Sequence, residues 1–392
     1  MDPEDKNLEL ASSAAPRSFA SAQDDIASSQ DKAPEVMLPD TVPPPVDLLD
    51  GSTDATASPV PDEVIAVAIA GEQKKSPTPL QESLRRLRRD KRAMISLIVI
   101  VLFILIPIFG PLIYQHIGGP YQSTLNGQIG PAVYHSPFHQ ELDRQDEFIS
   151  AQYWLGTDAL GRDLLARLMQ GMLVSLTVAV LVEVVDIGFG VFVGVMAGFF
   201  GGWIDQLLAR FTDLTFAFPG LLFAILITGI FGEYADVYLS NIPLIGANGN
   251  ARLILVSAAL AIAAWPIMAR YVRGQALQLK EQQFIEAART AGTSNAHIIL
   301  RHITPNLFSI VVVAATLNMS ITIIGEAGLS LLGLGVQQPG SSIGLMIYDG
   351  FNVIETHPWE VLLPAIALTI IVLAFSFLGD GLRDAFDPRS KD

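Results

Sequence analysis

The sequence predicts an all-α membrane protein: six transmembrane helices, with a cytoplasmic helical hairpin between spans four and five. Three observations carry this. The 392-residue chain is 51% apolar and has no cysteine, and its mean hydropathy is positive. Six long apolar runs follow residue 92. A helix rising about 1.5 Å per residue needs about 20 such residues to cross a core of about 30 Å. Finally, one polar and mostly basic interval, residues 271–305, interrupts the apolar second half.

Residues 1–78 are rich in Ser, Ala, Pro and Asp, with Pro43–Pro45 in a row. They hold too few large apolar side chains to bury a core and read as a disordered cytoplasmic tail. No basic start with a compact apolar stretch marks a secretory signal. Residues 1–80 contain 15 acidic and 5 basic residues, so −10 of the chain's −15 charge lies there. The acidity describes a tail rather than a partner. Solvation is the plain reading of that tail; a regulatory docking role is the alternative.

Residues 79–92 read as a basic amphipathic helix. Thr78 is placed to cap it, with Pro79 at the first position and Gln81 at the third. Leu80, Leu84 and Leu87 share a face ringed by Arg85, Arg86, Arg88, Arg89, Lys91 and Arg92. Such a helix lies on an anionic bilayer surface.

The spans fall at about 93–115, 172–199, 214–232, 253–270, 306–328 and 360–379. Positive charge sets their direction. Residues 74–92 carry eight Lys/Arg ahead of span one, which places the N-terminus in the cytoplasm. Six spans return the C-terminus there, with Arg383, Arg389 and Lys391, and put 271–305 inside. The intervals 233–252 and 329–359, which hold only Arg252, lie outside, as does 116–171 with three Arg and no Lys. Pro219 is expected to kink span three.

Within 271–305, Phe284 to Ala291 has helix-forming composition, and Gly292 suits a helix stop. Thr293 or Ser294 can cap a second helix. Ala287, Ala288 and Ala291 make one face shallow. A short, rigid, shallow helix pair suits docking into a groove on another protein; a plain surface hairpin is the alternative.

Ahead of span two stands Trp154–Leu168, WLGTDALGRDLLARL. Thr157 or Asp158 can cap the helix that follows, and Gly156 and Gly161 allow tight turns. No His lies at ligand spacing from Asp158 and Asp163, so no metal set is expected. Glu183 and Asp186 fall in span two and Glu326 near the end of span five. A carboxylate at membrane depth must face protein or water. These three either line a polar path or pair with helix neighbours or a partner subunit. There is no G-x-x-x-x-G-K-[ST] or H-E-x-x-H. P-loop phosphate binding and H-E-x-x-H metallohydrolase chemistry therefore have no residues to stand on. No catalytic residue, cofactor or nucleic-acid partner is expected.

The run Glu286–Asn306, EAARTAGTSNAHIILRHITPN, resembles the EAA loop of ABC-importer permeases. His302 and Thr304 depart from the general loop, where Ile and Leu are usual; the dipeptide/oligopeptide/nickel branch often has the His. GTDALGRDLLARL is similar to that branch's signature before span two, though Gly171–Leu176 lacks the branch's usual Arg. Gly198–Asp205, Arg210, Asp213, Phe218-Pro219, Trp265, Arg270, Val272–Gln275, Glu326–Gln337 and Leu378–Arg389 continue the pattern in order. Ile343 stands where Trp is expected. The resemblance covers about 85–392 and points to the C-type chain of the heterodimeric permease pair.

The resemblance implies that Glu286, Ala287, Ala288, Gly292 and Pro305 transmit ATPase motion to the membrane helices. It implies a second related permease chain, two ATPase subunits that bind ATP, and an extracytoplasmic solute-binding protein. It also implies a bacterial cytoplasmic membrane and a peptide or similar small solute. The rival class is a secondary transporter working without an ATPase. That class holds substrate at broken helices near the midplane, often between inverted repeats. No clear repeat relates the two halves, and the loop would have no use there.

Overall fold

Among the described residues, six helices are long and apolar enough to cross a membrane. The structure, a computed structural model, describes residues 79–114, 117, 135–239 and 251–387. The expected tail, the Thr78 cap and the segment from Pro388 lie outside the described residues. Those described form helices joined by loops, with one isolated β-bridge, Thr157 to Asp163.

Helix α1, Pro79–Arg89, leads into α2, Lys91–Tyr114. Asp90 separates them, and its Oδ1 accepts from the Arg92 amide at 2.8 Å, capping α2. The expected single apolar face of α1 divides. Leu84 is 53% exposed, whereas Leu87 is 8% exposed and packs with Ala93 of α2 and Ala385 near the chain end. The helix is anchored by protein contact on its Leu87 side, and the exposed Leu84 is the residue expected to meet lipid. Replacing Leu84 by Asp is therefore expected to raise protease cleavage within 79–92 without changing the amount of folded protein. Unchanged protection would show that lipid contributes nothing to this helix.

The second span is a rod, Leu164–Phe200, of 37 residues. It comprises α3, Leu164–Val185, a π-turn, Asp186–Gly190, and α4, Val191–Phe200. It begins ahead of the expected 172 because the cap is Asp163, neither Thr157 nor Asp158. Asp163 Oδ1 accepts from the amides of Leu165 (2.8 Å) and Ala166 (3.1 Å). Asp158 is occupied inside the preceding loop, where its Oδ1 accepts from the amides of Leu160 and Arg162, both at 2.9 Å.

The apolar stretch expected as span three contains a break. Helix α5, Gly202–Phe216, is followed by α6, Gly220–Leu239. Pro219 stands ahead of α6 and kinks nothing; its carbonyl accepts from the Phe223 amide at 3.0 Å. Proline has no N–H to give and disfavours helix in the residue before it, so a helix starts at it more readily than it passes through it.

Helix α7, Ala251–Lys280, runs ten residues past the expected end of span four. Next come α8, Gln283–Thr290, and a second 37-residue rod, Asn295–Leu331. This rod comprises α9, Asn295–Ile298, a π-turn, Ile299–Ile303, and α10, Thr304–Leu331. Helix α11, Ile343–Phe351, precedes α12, Trp359–Phe386. Side chains such as Ile95, Leu112 and Ile113 on α2 and Leu222 on α6 are more than half exposed. In a protein of this hydropathy that surface is the one lipid covers.

Helices α4 and α7 cross closely. Gly190, Gly194 and Gly198 recur every fourth residue and face α7. A Cβ on Gly194 would stand 2.6 Å from the Ala269 carbonyl oxygen and 2.7 Å from Val272 Cβ. Small residues at this period let two backbones touch.

Candidate functional site

The expected hairpin forms, with one difference. Helix α8 is separate, but α9 is the first turn of the rod that becomes span five. Between them Gly292 takes φ +77°. The Gly292 amide donates to the Arg289 carbonyl at 2.9 Å and the Thr293 amide to the Ala288 carbonyl at 3.0 Å. This pair of bonds closes a helix end and requires a left-handed residue, the role glycine fills at least cost. Ser294 occupies the cap position of α9, and its side chain makes no capping bond.

Pro305 lies in the first turn of α10, just past the π-turn. Proline cannot donate into an α-helix and its ring crowds the carbonyl four residues back; a wider π-turn accommodates both effects. The Asn306 side chain donates to the His302 carbonyl at 2.6 Å, satisfying a group in the disturbed turn. His302, in the place usual for Ile, lies near the Phe284 ring (6.5 Å between centroids) and so helps join α8 to the rod.

The back of the hairpin is fastened by residues that sequence reasoning missed. Ile285, Ile298 and Ile303 are fully buried with Val195 and Phe199 of α4 and Val272 and Ala276 of α7. Ala288 is partly buried against the same cluster. Glu286 and Ala287 face outward and are exposed. So the hairpin offers a small-residue surface with one carboxylate, held rigidly from behind.

Helix α7, which carries the hairpin, is also clasped to α5. Arg273 Nη2 donates to Asp205 Oδ2 at 2.8 Å, and Arg270 Nη2 to Asp213 Oδ1 at 2.8 Å. The Arg273 hydrogen bond holds the Asp205 carboxyl below its usual range. Arg270 also lies 4.0 Å from the centroid of Phe216.

A groove of about 480 Å³ opens between the hairpin ends of α7, α10 and α12, lined by Tyr271, Gln275, Asn306, Asn318, Arg383 and Phe386 among others. Asn318 marks its deep end. Behind it, the Asn318 amide donates to Glu183 Oε2 (3.2 Å) and Asp186 Oδ2 (2.9 Å). The two carboxylates are thus brought together, yet they back the groove through Asn318 rather than lining it. Asn318, an isolated amide in an apolar run, was the signal that could have found this contact. Glu326 lies elsewhere. It is 1% exposed and accepts from Ser175 and Ser330, both at 2.7 Å, tying α10 to α3.

At the other end of the bundle the loop before α3 builds a buried ion network. Arg162 Nε donates to Asp158 Oδ2 at 2.8 Å, and Arg167 Nη2 to Asp349 Oδ2 of α11 at 2.8 Å. His135 Nδ1 and the Tyr114 hydroxyl meet Asp163 Oδ2 at 2.6 and 2.9 Å. These contacts join the loop to α2, α3 and α11.

Comparison with known proteins agrees with this architecture. Residues 190–392 match the family described as binding-protein-dependent transport system inner membrane component. Residues 78–137 match the N-terminal TM domain of oligopeptide transport permease C. The dipeptide transport permease DppC of Alkalihalophilus pseudofirmus is 36% identical over 316 residues, covering 80% of this chain and 91% of that protein. The oligopeptide transport permease OppC of Bacillus subtilis is 35% identical over 328 residues, covering 83% and 95%. The glutathione transport permease GsiD of Escherichia coli O157:H7 is 37% identical over 314 residues, covering 80% and 92%. A solved inward-facing MetNI methionine ABC transporter is 19% identical at a TM-score of 0.44, over 56% of this chain and 96% of that one, so the assignment rests on the sequence relatives. The chain belongs to the inner-membrane permeases of binding-protein-dependent ABC importers, in the C-type branch of the dipeptide and oligopeptide systems.

Proposed function

We propose that this chain forms half of the translocation path for peptides or a similar small solute, and that the α8–α9 hairpin receives motion from a separate ATPase. The observation that carries this is the two-sidedness of the hairpin: Glu286 and Ala287 open to solution, and Ile285, Ile298 and Ile303 locked to α4 and α7. A push on the outer face reaches two spans at once. It reaches α10 directly, because α9 and α10 form one rod. It reaches α7 through the shared apolar cluster. Both helices border the groove, so their displacement changes its width.

In this reading the partners are a second related permease chain, two ATPase subunits that bind the ATP, and an extracytoplasmic solute-binding protein. This chain supplies no catalytic group or cofactor. The Lys/Arg distribution supports a reading in which both termini and the hairpin face the cytoplasm of a bacterium, with the chain across its cytoplasmic membrane. Glu183, Asp186 and Asn318 keep a polar patch at the deep end of the path. Glu326 braces α10 against α3. The peptide class follows from the names of the relatives: dipeptide, oligopeptide and glutathione permeases.

Uptake of a labelled peptide into vesicles holding the assembled complex tests this reading. ATP and the binding protein are expected to be required, and a protonophore is expected to leave uptake unchanged. Uptake driven by an ion gradient without ATP would restore the secondary-transporter alternative.

A further inference from the structure

We infer that Asp146, His357 and Glu360 form a binding site for one divalent transition-metal ion at the end of the bundle opposite the hairpin. One ligand atom from each of the three lies within 4.8 Å of the others, so a single ion can reach all three. The residues come from two distant parts of the chain: Asp146 from the loop before α3, His357 from just ahead of α12, and Glu360 from the first turn of α12.

The burial of Glu360 sets this cluster apart from an ordinary acidic surface. Its side chain is 3% exposed, and its Oε1 has no hydrogen-bond partner among the described residues. Asp146 Oδ1 is likewise buried and unpartnered. A buried carboxylate oxygen without a donor calls for a cation or a proton. The guanidinium whose charge reaches Glu360, that of Arg167, donates its terminal nitrogens to Asp158 and Asp349 instead. On binding an ion, the two carboxyl groups would bring two negative charges to a shared centre, which a divalent cation neutralises.

The ligand chemistry narrows the ion. Two oxygens and one imidazole nitrogen with no thiolate suit Zn²⁺ or Mn²⁺ better than Cu⁺, and the imidazole argues against Ca²⁺ and Mg²⁺. The site is sheltered on one side by aromatic rings: Trp359 stands edge-on to His357 at 5.1 Å, and Phe148 edge-on to Trp359 at 4.8 Å. An ion here joins the loop before α3 to the start of span six, across the outer end of the bundle.

The test uses the full chain in its assembled complex, purified through a tag that contains no histidine and stripped with a chelator. Zn²⁺ is then titrated and the bound metal counted after gel filtration. One Zn²⁺ per copy of this chain is expected. Glu360→Gln and His357→Ala should each weaken binding by about 10-fold or more. Asp146→Asn, on the more accessible loop, provides a third variant if either of those fails to assemble. Absence of bound Zn²⁺ in the assembled wild type would overturn the site and leave the two carboxyls sharing a proton. Affinity unchanged by these substitutions would overturn it equally.

Discussion

Replacing Gly292 by valine is expected to abolish transport while leaving the chain in the membrane at its normal level. Gly292 sits at φ +77°, and a Cβ placed there meets nothing within 4 Å. The effect therefore comes from the backbone alone. A β-branched residue in the left-handed region costs about 1–3 kcal/mol. That is small beside the burial of six spans, so insertion survives. It is comparable to the roughly 1–3 kcal/mol that the two bonds setting the hairpin turn contribute together, from Gly292 to Arg289 and from Thr293 to Ala288. The turn reorganises, α8 swings away from α9, and Glu286 and Ala287 leave their place. Gly292→Asn distinguishes this cause from a general need for a small residue, because asparagine tolerates the left-handed region. It is expected to retain much of the transport. Uptake assays with immunoblots of the membrane fraction read both outcomes, and full transport by Gly292→Val would refute the assignment of the turn.

Replacing Gly194 by leucine is expected to deplete the folded chain itself. The first atom added would stand 2.6 Å from a backbone carbonyl oxygen of α7 and 2.7 Å from Val272 Cβ. Neither can swing aside as the end of a flexible side chain can. Overpacking a well-filled core costs about 1–3 kcal/mol, and here two helix backbones must also separate. The loss spreads to the hairpin, because Val195, Phe199, Val272 and Ala276 at the same crossing hold Ile285 and Ile298. Gly188→Ala is the matched control, since a Cβ there meets nothing within 4 Å. Thermal unfolding of the detergent-solubilised chain should show a lower midpoint, or no folded material, for Gly194→Leu and a near-normal midpoint for Gly188→Ala.

The number of spans was legible because each apolar run is long. The ends were less so. Residues 271–280 are interrupted by Arg273, Gln275, Gln278 and Lys280, yet they continue α7 beyond the stretch that hydropathy marks. The third run misled for another reason. Leu214 and Phe216, at the start of the expected 214–232, lie on the separate helix α5, and only the Pro219 break distinguishes it from the span that follows. Gly292 was readable because one backbone conformation demands it. Ile285, Ile298 and Ile303 were not, since isoleucine anchors wherever a partner surface exists, and that surface comes from α4 and α7. Asp163 was passed over as a cap because three cap-competent side chains stand close together there, and only the closed loop decides among them. The pairing of Asn318 with Glu183 and Asp186 joins spans two and five; an amide in an apolar run signals that it needs a polar partner, but no local pattern says which.

The claim on which the functional reading rests is that Ala287 meets the ATPase. The chain has no cysteine of its own, so a single Ala287→Cys carries the only thiol in it. In the assembled complex, a short bifunctional thiol reagent is applied with one cysteine placed on the surface of the ATPase subunit. Phe351→Cys, 61% exposed on α11 at the opposite end, serves as the reference. A crosslink from position 287 to the ATPase, with none from position 351, is the predicted result. An intact complex that crosslinks from 351 and not from 287 would contradict it.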